Sequence, residues 1–284
     1  MQEAWALRGS KNRFHIGDLA WDVTSSWSDE EDRVELWRGR ERVAAFGWLS
    51  GTHLEWQVDP ARPELLRDVL AWAQPSSATA LESDAEAVEI LREHGFARDD
   101  EAPWFAYMQR DLDDVADPAL PPAYSVRSVR GLDELPARTA VHRAAWEPSQ
   151  LTEEKMRALM STWPYRFDLD CVVEAPDGTF AASALAWLDE VNRVGELEPV
   201  GTAPAHRRRG LGHAVNLFAL QRLRDAGAET AIVYCRGDAA YPIPKLLYES
   251  VGFRRHDRTV RFVRRRSGPG VEPSQRGAAT PDGF

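Results

Sequence analysis

The stretch VGELEPVGTAPAHRRRGLGHAVNLFALQRLRDAG, residues 194–227, constrains this chain more than any other. A strand-like segment runs into three consecutive arginines, Arg207, Arg208 and Arg209, then Gly210-Leu211-Gly212 and a helix ended by Gly227. A strand, a tight glycine loop and a helix start together make an anion site. N–H groups of a first helical turn lack intrahelical partners, and the helix dipole favours negative charge there. Gly210 and Gly212 let the backbone approach a diphosphate without Cβ atoms in the way. Neighbouring arginines can pair with phosphate oxygens through a forked geometry. No third glycine completes a dinucleotide fingerprint, and no Gly-Lys-Ser/Thr makes a Walker loop.

Around this motif, strands and helices alternate, which reads as an α/β fold with a mixed sheet. YSVRSV alternates like a strand, LDELPARTAVHRAAW has helical spacing, and LTEEKMRALMST is a helix with Thr152 as N-cap. DCVVEAPDGTFAASALAWL is a hairpin turning at Asp177-Gly178. ETAIVYCR is a buried strand, PKLLYESVGF a short helix and RTVRFVR a closing strand. Residues 111–126, with acidic residues and three prolines, read as a linker. The expected organisation is a first domain over 1–112, a linker at 113–121, a second domain over 122–264 and a disordered tail over 265–284.

The first domain reads as a worn copy of the second. VELWRGRERVAAFGWL (34–49) matches the hairpin, HLEWQVDP (53–60) lines up with ELEPVGTAP, and AVEILREHGFARDD (87–100) with KLLYESVGFRRHD. After Pro60, however, ARPELLRD has neither glycine nor an arginine cluster.

Charge divides the same way. Residues 1–120 hold 12 Lys+Arg against 25 Asp+Glu, and the remainder 23 against 20. An acidic half opposes a phosphate backbone, so nucleic acid is not an expected partner. No apolar run is long enough for a membrane helix, and the N-terminus lacks a signal peptide's apolar stretch, so a cytoplasmic protein is expected. The two cysteines, Cys171 and Cys235, show no metal-ligand spacing, and no metal is expected.

The order strand, Arg-x-x-Gly-x-Gly at 207–212, long helix, strand and LYESVGF helix resembles the GNAT superfamily of N-acetyltransferases. The resemblance covers residues 122–264 fully and the first domain in degenerate form, implying two tandem GNAT-like domains with one working copy. It implies acetyl-CoA as cosubstrate, its pyrophosphate on the amides of Arg207, Arg208, Arg209, Gly210, Leu211 and Gly212, with His213 next along the helix. The strand end at Val200, Gly201 and Thr202 would splay open and pair with the pantetheine arm, pointing an N–H at the thioester carbonyl. Tyr248 stands where the family often has the tyrosine that protonates the leaving thiolate.

Aminolysis of a thioester needs a neutral amine, so a base is expected near the strand. Glu196 and Glu198 share one face with Val200 and Thr202 by the period of two. Glu198 is the nearer to the thioester, while Glu196 matches the position some members use. Trp146 and Trp163 fall where the family builds its acceptor pocket, and Tyr241 replaces a common Asn.

The resulting expectation is direct acetyl transfer to the primary amine of a small molecule in a ternary complex, by a monomer or homodimer. Two alternatives stand beside it. One is a longer-acyl-CoA or mycothiol-synthase-like transferase, and the other is a non-catalytic CoA-binding regulator.

Overall fold

The computed structural model describes residues 1–9, 12–25, 31–39 and 42–264, so the expected tail lies outside the described residues. The chain begins with helices α1 (Gln2–Arg8) and α2 (Ile16–Ser25). There follow β1 (Asp32–Arg38), β2 (Val43–Ser50), β3 (His53–Val58), α3 (Leu65–Ala73), β4 (Ser77–Leu81), α4 (Ala85–Glu93) and β5 (Phe96–Asp99). Next are β6 (Phe105–Asp111), β7 (Ser125–Ser128), α5 (Leu135–Ala145), α6 (Glu153–Met160), β8 (Asp170–Glu174) and β9 (Phe180–Asp189). β10 (Val194–Thr202), α7 (Leu211–Asp225), β11 (Thr230–Arg236), α8 (Ile243–Ser250) and β12 (Arg254–Arg264) complete it. The Thr152 cap is present, its hydroxyl accepting the Lys155 N–H at 3.2 Å.

Two compact units result, and their boundaries differ from those expected. The larger takes the described residues of Met1–Trp27 and Pro103–Thr259, and the smaller those of Ser28–Ala102 and from Val260 onward. Pairing explains the difference. β6, expected in the first domain, pairs antiparallel with β11 from Phe105–Arg236 to Asp111–Thr230. β12 divides: Arg254–Arg258 pairs with β6, and Arg261–Arg264 pairs with β5. Alternation marks a strand but does not say which sheet it joins.

In the larger unit the strand order is β12–β6–β11–β10–β9–β8–β7, with β10 and β11 parallel and the other neighbouring pairs antiparallel. The smaller unit repeats the plan: β1, β2 and β3 run antiparallel, α3 follows, β4 lies parallel to β3, and α4 and β5 close it.

All ten residues of β9 are buried, as befits a strand covered on both faces. Ala182, Ala184 and Ala186 share one apolar cluster with Val215, Ala219, Leu220 and Leu223 of α7. Leu185 and Trp187 share another with Trp21 of α2 and with Met156 and Leu159 of α6. Small residues under α7 let the helix lie close to the sheet. Gly195 shows how close: a Cβ there would stand 2.5 Å from Leu223 Cδ1. Gly195→Ala is therefore expected to overpack this contact and cost about 1–3 kcal/mol in denaturant unfolding. An unchanged midpoint would mean that α7 shifts freely.

Candidate active site

The site begins where the sheet comes apart. β10 pairs with β11 only through Val194–Glu196 against Thr230–Ile232. β10 nevertheless stays on β9 as far as Thr202, and β11 stays on β6 as far as Arg236. The backbones of Leu197–Thr202 and Val233–Arg236 therefore face a wedge with no ladder across it, consistent with the splayed strand end expected at Val200, Gly201 and Thr202.

A bulge opens the wedge. Leu197 pairs with Ala186 and Val200 with Ala184, so Glu198 and Pro199 together oppose a single residue of β9. Proline has no N–H to lose there. The Glu198 carbonyl, turned out of the ladder, accepts the buried Trp187 indole N–H at 2.7 Å. The extra residue also reverses the faces, which corrects the expectation from strict alternation. Glu196 lies opposite Trp187, on the α2 and α6 side. Val200 and Thr202 lie opposite Ala184 and Ala182, on the α7 side. Val200 packs on the α7 cluster, and a Cβ at Gly212 would meet Thr202 Oγ1 at 3.3 Å.

At the end of β10 the chain turns through Pro204–His206 and enters α7 with Arg208 at φ 61° and Gly210 at φ 79°. The first backbone bond into the helix is Ala214 N–H to the Gly210 carbonyl, 3.0 Å. The N–H groups ahead of it, including those of Leu211, Gly212 and His213, are the orphans of a helix start. Space around Gly210 is open. Arg207 is already engaged: its Nε donates to the Thr202 carbonyl and its Nη2 to that of Ala145, both at 3.1 Å. It braces the loop, while the exposed Arg208 and Arg209 carry no ion pair among the described residues.

The smaller unit's equivalent helix start is closed. Leu65, Leu66 and Arg67 N–H groups bond to the carbonyls of Arg62, Pro63 and Glu64, and the Asp59 carboxylate accepts the Ala61 N–H at 2.9 Å. Its orphans are satisfied, and the Asp59 carboxylate is paired with Arg42 at 2.7 Å.

Beside the wedge, Glu196 and Glu198 come together as expected, but with a third carboxyl the sequence did not reveal. Asp18 of α2, Glu196 and Glu198 each place an oxygen within 4.8 Å of the others. Burial pushes Glu196 up to about 8. Burial, and then the neighbouring carboxyls, holds Asp18 and Glu198 well above the usual carboxylate range. Glu196 Oε1 and Glu198 Oε2 are buried without a hydrogen-bond partner, as is the Tyr234 hydroxyl. That phenol is raised by burial and then by Asp18 and Glu196. Among the described residues no arginine or lysine pairs with this group.

Tyr248 is buried edge-on against Phe253, and burial raises its phenol, with the charges of Cys235 and Glu198 adding to the effect. Trp146 reaches the wedge, its Nε1 lying 3.0 Å from where a Gly201 Cβ would stand. Trp163 is not drawn in and stands 69% exposed, and Tyr241 is exposed before α8. Both cysteines are buried and free.

The fit to a CoA-type group rests on this geometry: orphan N–H groups, two unpaired arginines and a strand edge without a partner. Residues 138–253 match the acetyltransferase (GNAT) family. The mycothiol acetyltransferase of Pseudarthrobacter chlorophenolicus is 30% identical over 188 residues, covering 62% of this chain and 56% of that protein. That of Amycolatopsis mediterranei is 39% identical over 72 residues, only 23% of its length. The chain thus spans between about a quarter and a little over half of these curated relatives. In fold, a tandem GNAT protein from the clavulanic acid biosynthesis pathway aligns with a TM-score of 0.63 at 15% identity, over 95% of this chain and 94% of that one. Over residues 138–253, therefore, the chain carries an acetyltransferase domain of the GNAT family.

Proposed function

We propose that this chain transfers an acetyl group from acetyl-CoA to a primary amine of a small molecule, by direct attack in a ternary complex. The observation that carries the reading is the meeting, in one unit, of an open helix start, a split strand edge and a buried carboxyl group. Bound acetyl-CoA supplies the activated acyl group as a thioester. The amides entering α7, with Arg208 and Arg209, hold the pyrophosphate, and Arg207 keeps the loop in place. The free edge of Leu197–Thr202 receives the pantetheine arm. Glu198, the member of the carboxyl group at the bulge, takes the proton of the attacking amine. As the C–N bond forms and the C–S bond breaks, Tyr248 gives a proton to the sulfur. Its raised phenol still holds that proton at neutral pH. The matched mycothiol acetyltransferases favour an acceptor among mycothiol-related amines, which is the second reading. The smaller unit, with its repeated element order and closed helix start, serves as a degenerate copy without a cofactor site.

Calorimetric titration of acetyl-CoA is expected to show one site per chain, weakened at least tenfold in Gly210→Trp. Two sites would mean the smaller unit also binds, and none would end the acetyltransferase reading. With an acceptor found from an amine panel, Glu198→Gln is expected to lower kcat by about 10²–10⁴-fold. In the parent protein kcat/KM should rise with pH above the usual carboxylate range, because the buried carboxyls are held high and one must lose a proton before it can act as a base. A flat profile from pH 6 to 9 would exclude these carboxyls as the base.

A further inference from the structure

The carboxyl group includes a residue that lies 178 positions from Glu196 in sequence and comes from a different element. Phe14–Asp18 lays the start of α2 against β10. His15 Nδ1 stands 3.0 Å from Glu196 Oε2, and His15 Nε2 stands 3.2 Å from the Val194 carbonyl. The Gly17 N–H donates to the same Nδ1 at 3.1 Å, and the His15 N–H donates to Asp18 Oδ2 at 2.6 Å. Gly17 must be glycine for this approach, since a Cβ there would stand 2.5 Å from both Glu196 Oε2 and Trp187 Cγ.

The hydrogen bonds assign the protons. Nδ1 accepts from Gly17, so the ring proton is on Nε2 and is donated to Val194. The contact from Nδ1 to Glu196 is then a hydrogen bond only if the carboxyl carries a proton. With Nδ1 as acceptor, the imidazole is neutral and brings no positive charge to Glu196. Fully buried His15 is also lowered from its ordinary value by desolvation, against the opposing pull of Asp18 and Asp189.

We propose that Asp18 is a positioning residue of the transfer site, making Glu196 and Glu198 a three-carboxyl group that shares its protons until a protonated amine enters. The proposal rests on the functional reading above for its substrate. Three acids this close cannot all ionise without a cation, and the described residues supply none. The groups facing them are His15 and Asp22 from the N-terminal segment, Tyr248 from α8, Tyr234 from β11 and, stacked on Tyr234 at 4.0 Å, Tyr107, whose hydroxyl accepts from Arg13 Nη1. An entering ammonium displaces one proton from the group to water. The carboxylate so formed then takes a proton from the ammonium, leaving the neutral amine that attacks. The buried Tyr234 hydroxyl, without a partner, stands as a further polar contact for that nitrogen.

A purely structural role is the competing account. Asp18 accepts the N–H of the residue before α2, as a helix cap does. Asp18→Asn keeps an acceptor there and removes the charge, and Asp18→Ser is a second variant that keeps a short acceptor. Carboxyl-carbon NMR titration of the whole labelled chain reads the group without any acceptor. In the parent protein, at least two side-chain carboxyls should titrate above pH 6. In Asp18→Asn the remaining ones should move down by about one pH unit or more, and the acidic limb of kcat/KM should move with them. Parent carboxyls that all titrate near 4–5, or a limb unmoved by either variant, would overturn the proposal and leave Asp18 a cap. If the NMR shift appears while no amine is acetylated, the shared protons stand and the acetyltransferase reading falls.

Discussion

The hydrogen bond from the Trp187 indole to the Glu198 carbonyl is the contact on which the site depends. A bulge in a central strand turns a backbone carbonyl out of its ladder, and such a group must find a donor when buried. Trp187 is fully buried and opposite Glu196, so its N–H is fixed where that carbonyl emerges. With the bulge held, β10 leaves β11 after Glu196 while remaining on β9. One irregularity thus opens the wedge, sends Val200 and Thr202 toward α7, and leaves the Glu196 side chain on the side of α2.

How much of this was legible follows from the range of each signal. The loop from Arg207 to Gly212 could be read because its chemistry is local: glycines, arginines and a helix start in sequence order. The Asp177-Gly178 turn and short apolar runs also marked β8, β9, β10 and β11, and alternation assigned the faces of β10. It failed at Glu198-Pro199, because period-two reasoning presumes one residue against one, and a bulge breaks that count. A proline inside a strand pattern was the available sign. His15 and Asp18 were beyond reach for another reason. FHIGDLAWD carries no spacing that points to a partner nearly 180 residues away. The unit boundaries were missed because β6 and β12 each read as strands while their sheet membership depends on pairing.

The acidity of the chain acquires a different meaning at this scale. A net charge of −10 suggests a diffuse preference for cations. The structure concentrates the relevant part into three buried carboxyls whose oxygens lie within 4.8 Å. Burial and their mutual repulsion hold all three above the usual carboxylate range, so they contribute less to the long-range field than three exposed carboxylates would. On the proposed reading their preference for a cation acts at contact, where a positive group favours the ionised form.

The two units show how slight a change separates an open helix start from a closed one. Both send a strand into a helix by way of a proline-containing turn. In the larger unit, Arg208 and Gly210 adopt positive φ and swing the chain so that the first-turn N–H groups face outward. In the smaller unit, Arg62-Pro63-Glu64 continues into α3 through tight backbone bonds that consume the same donors, and Asp59 adds a carboxylate. Gly210 reaches φ 79° without the Cβ strain that any other residue would meet there. The glycine loop therefore has two separable functions. Gly210 turns the donors outward, and Gly212 lets Thr202 pack close to the helix, so on the proposed reading an anion would be held next to the open edge of β10 rather than elsewhere on α7.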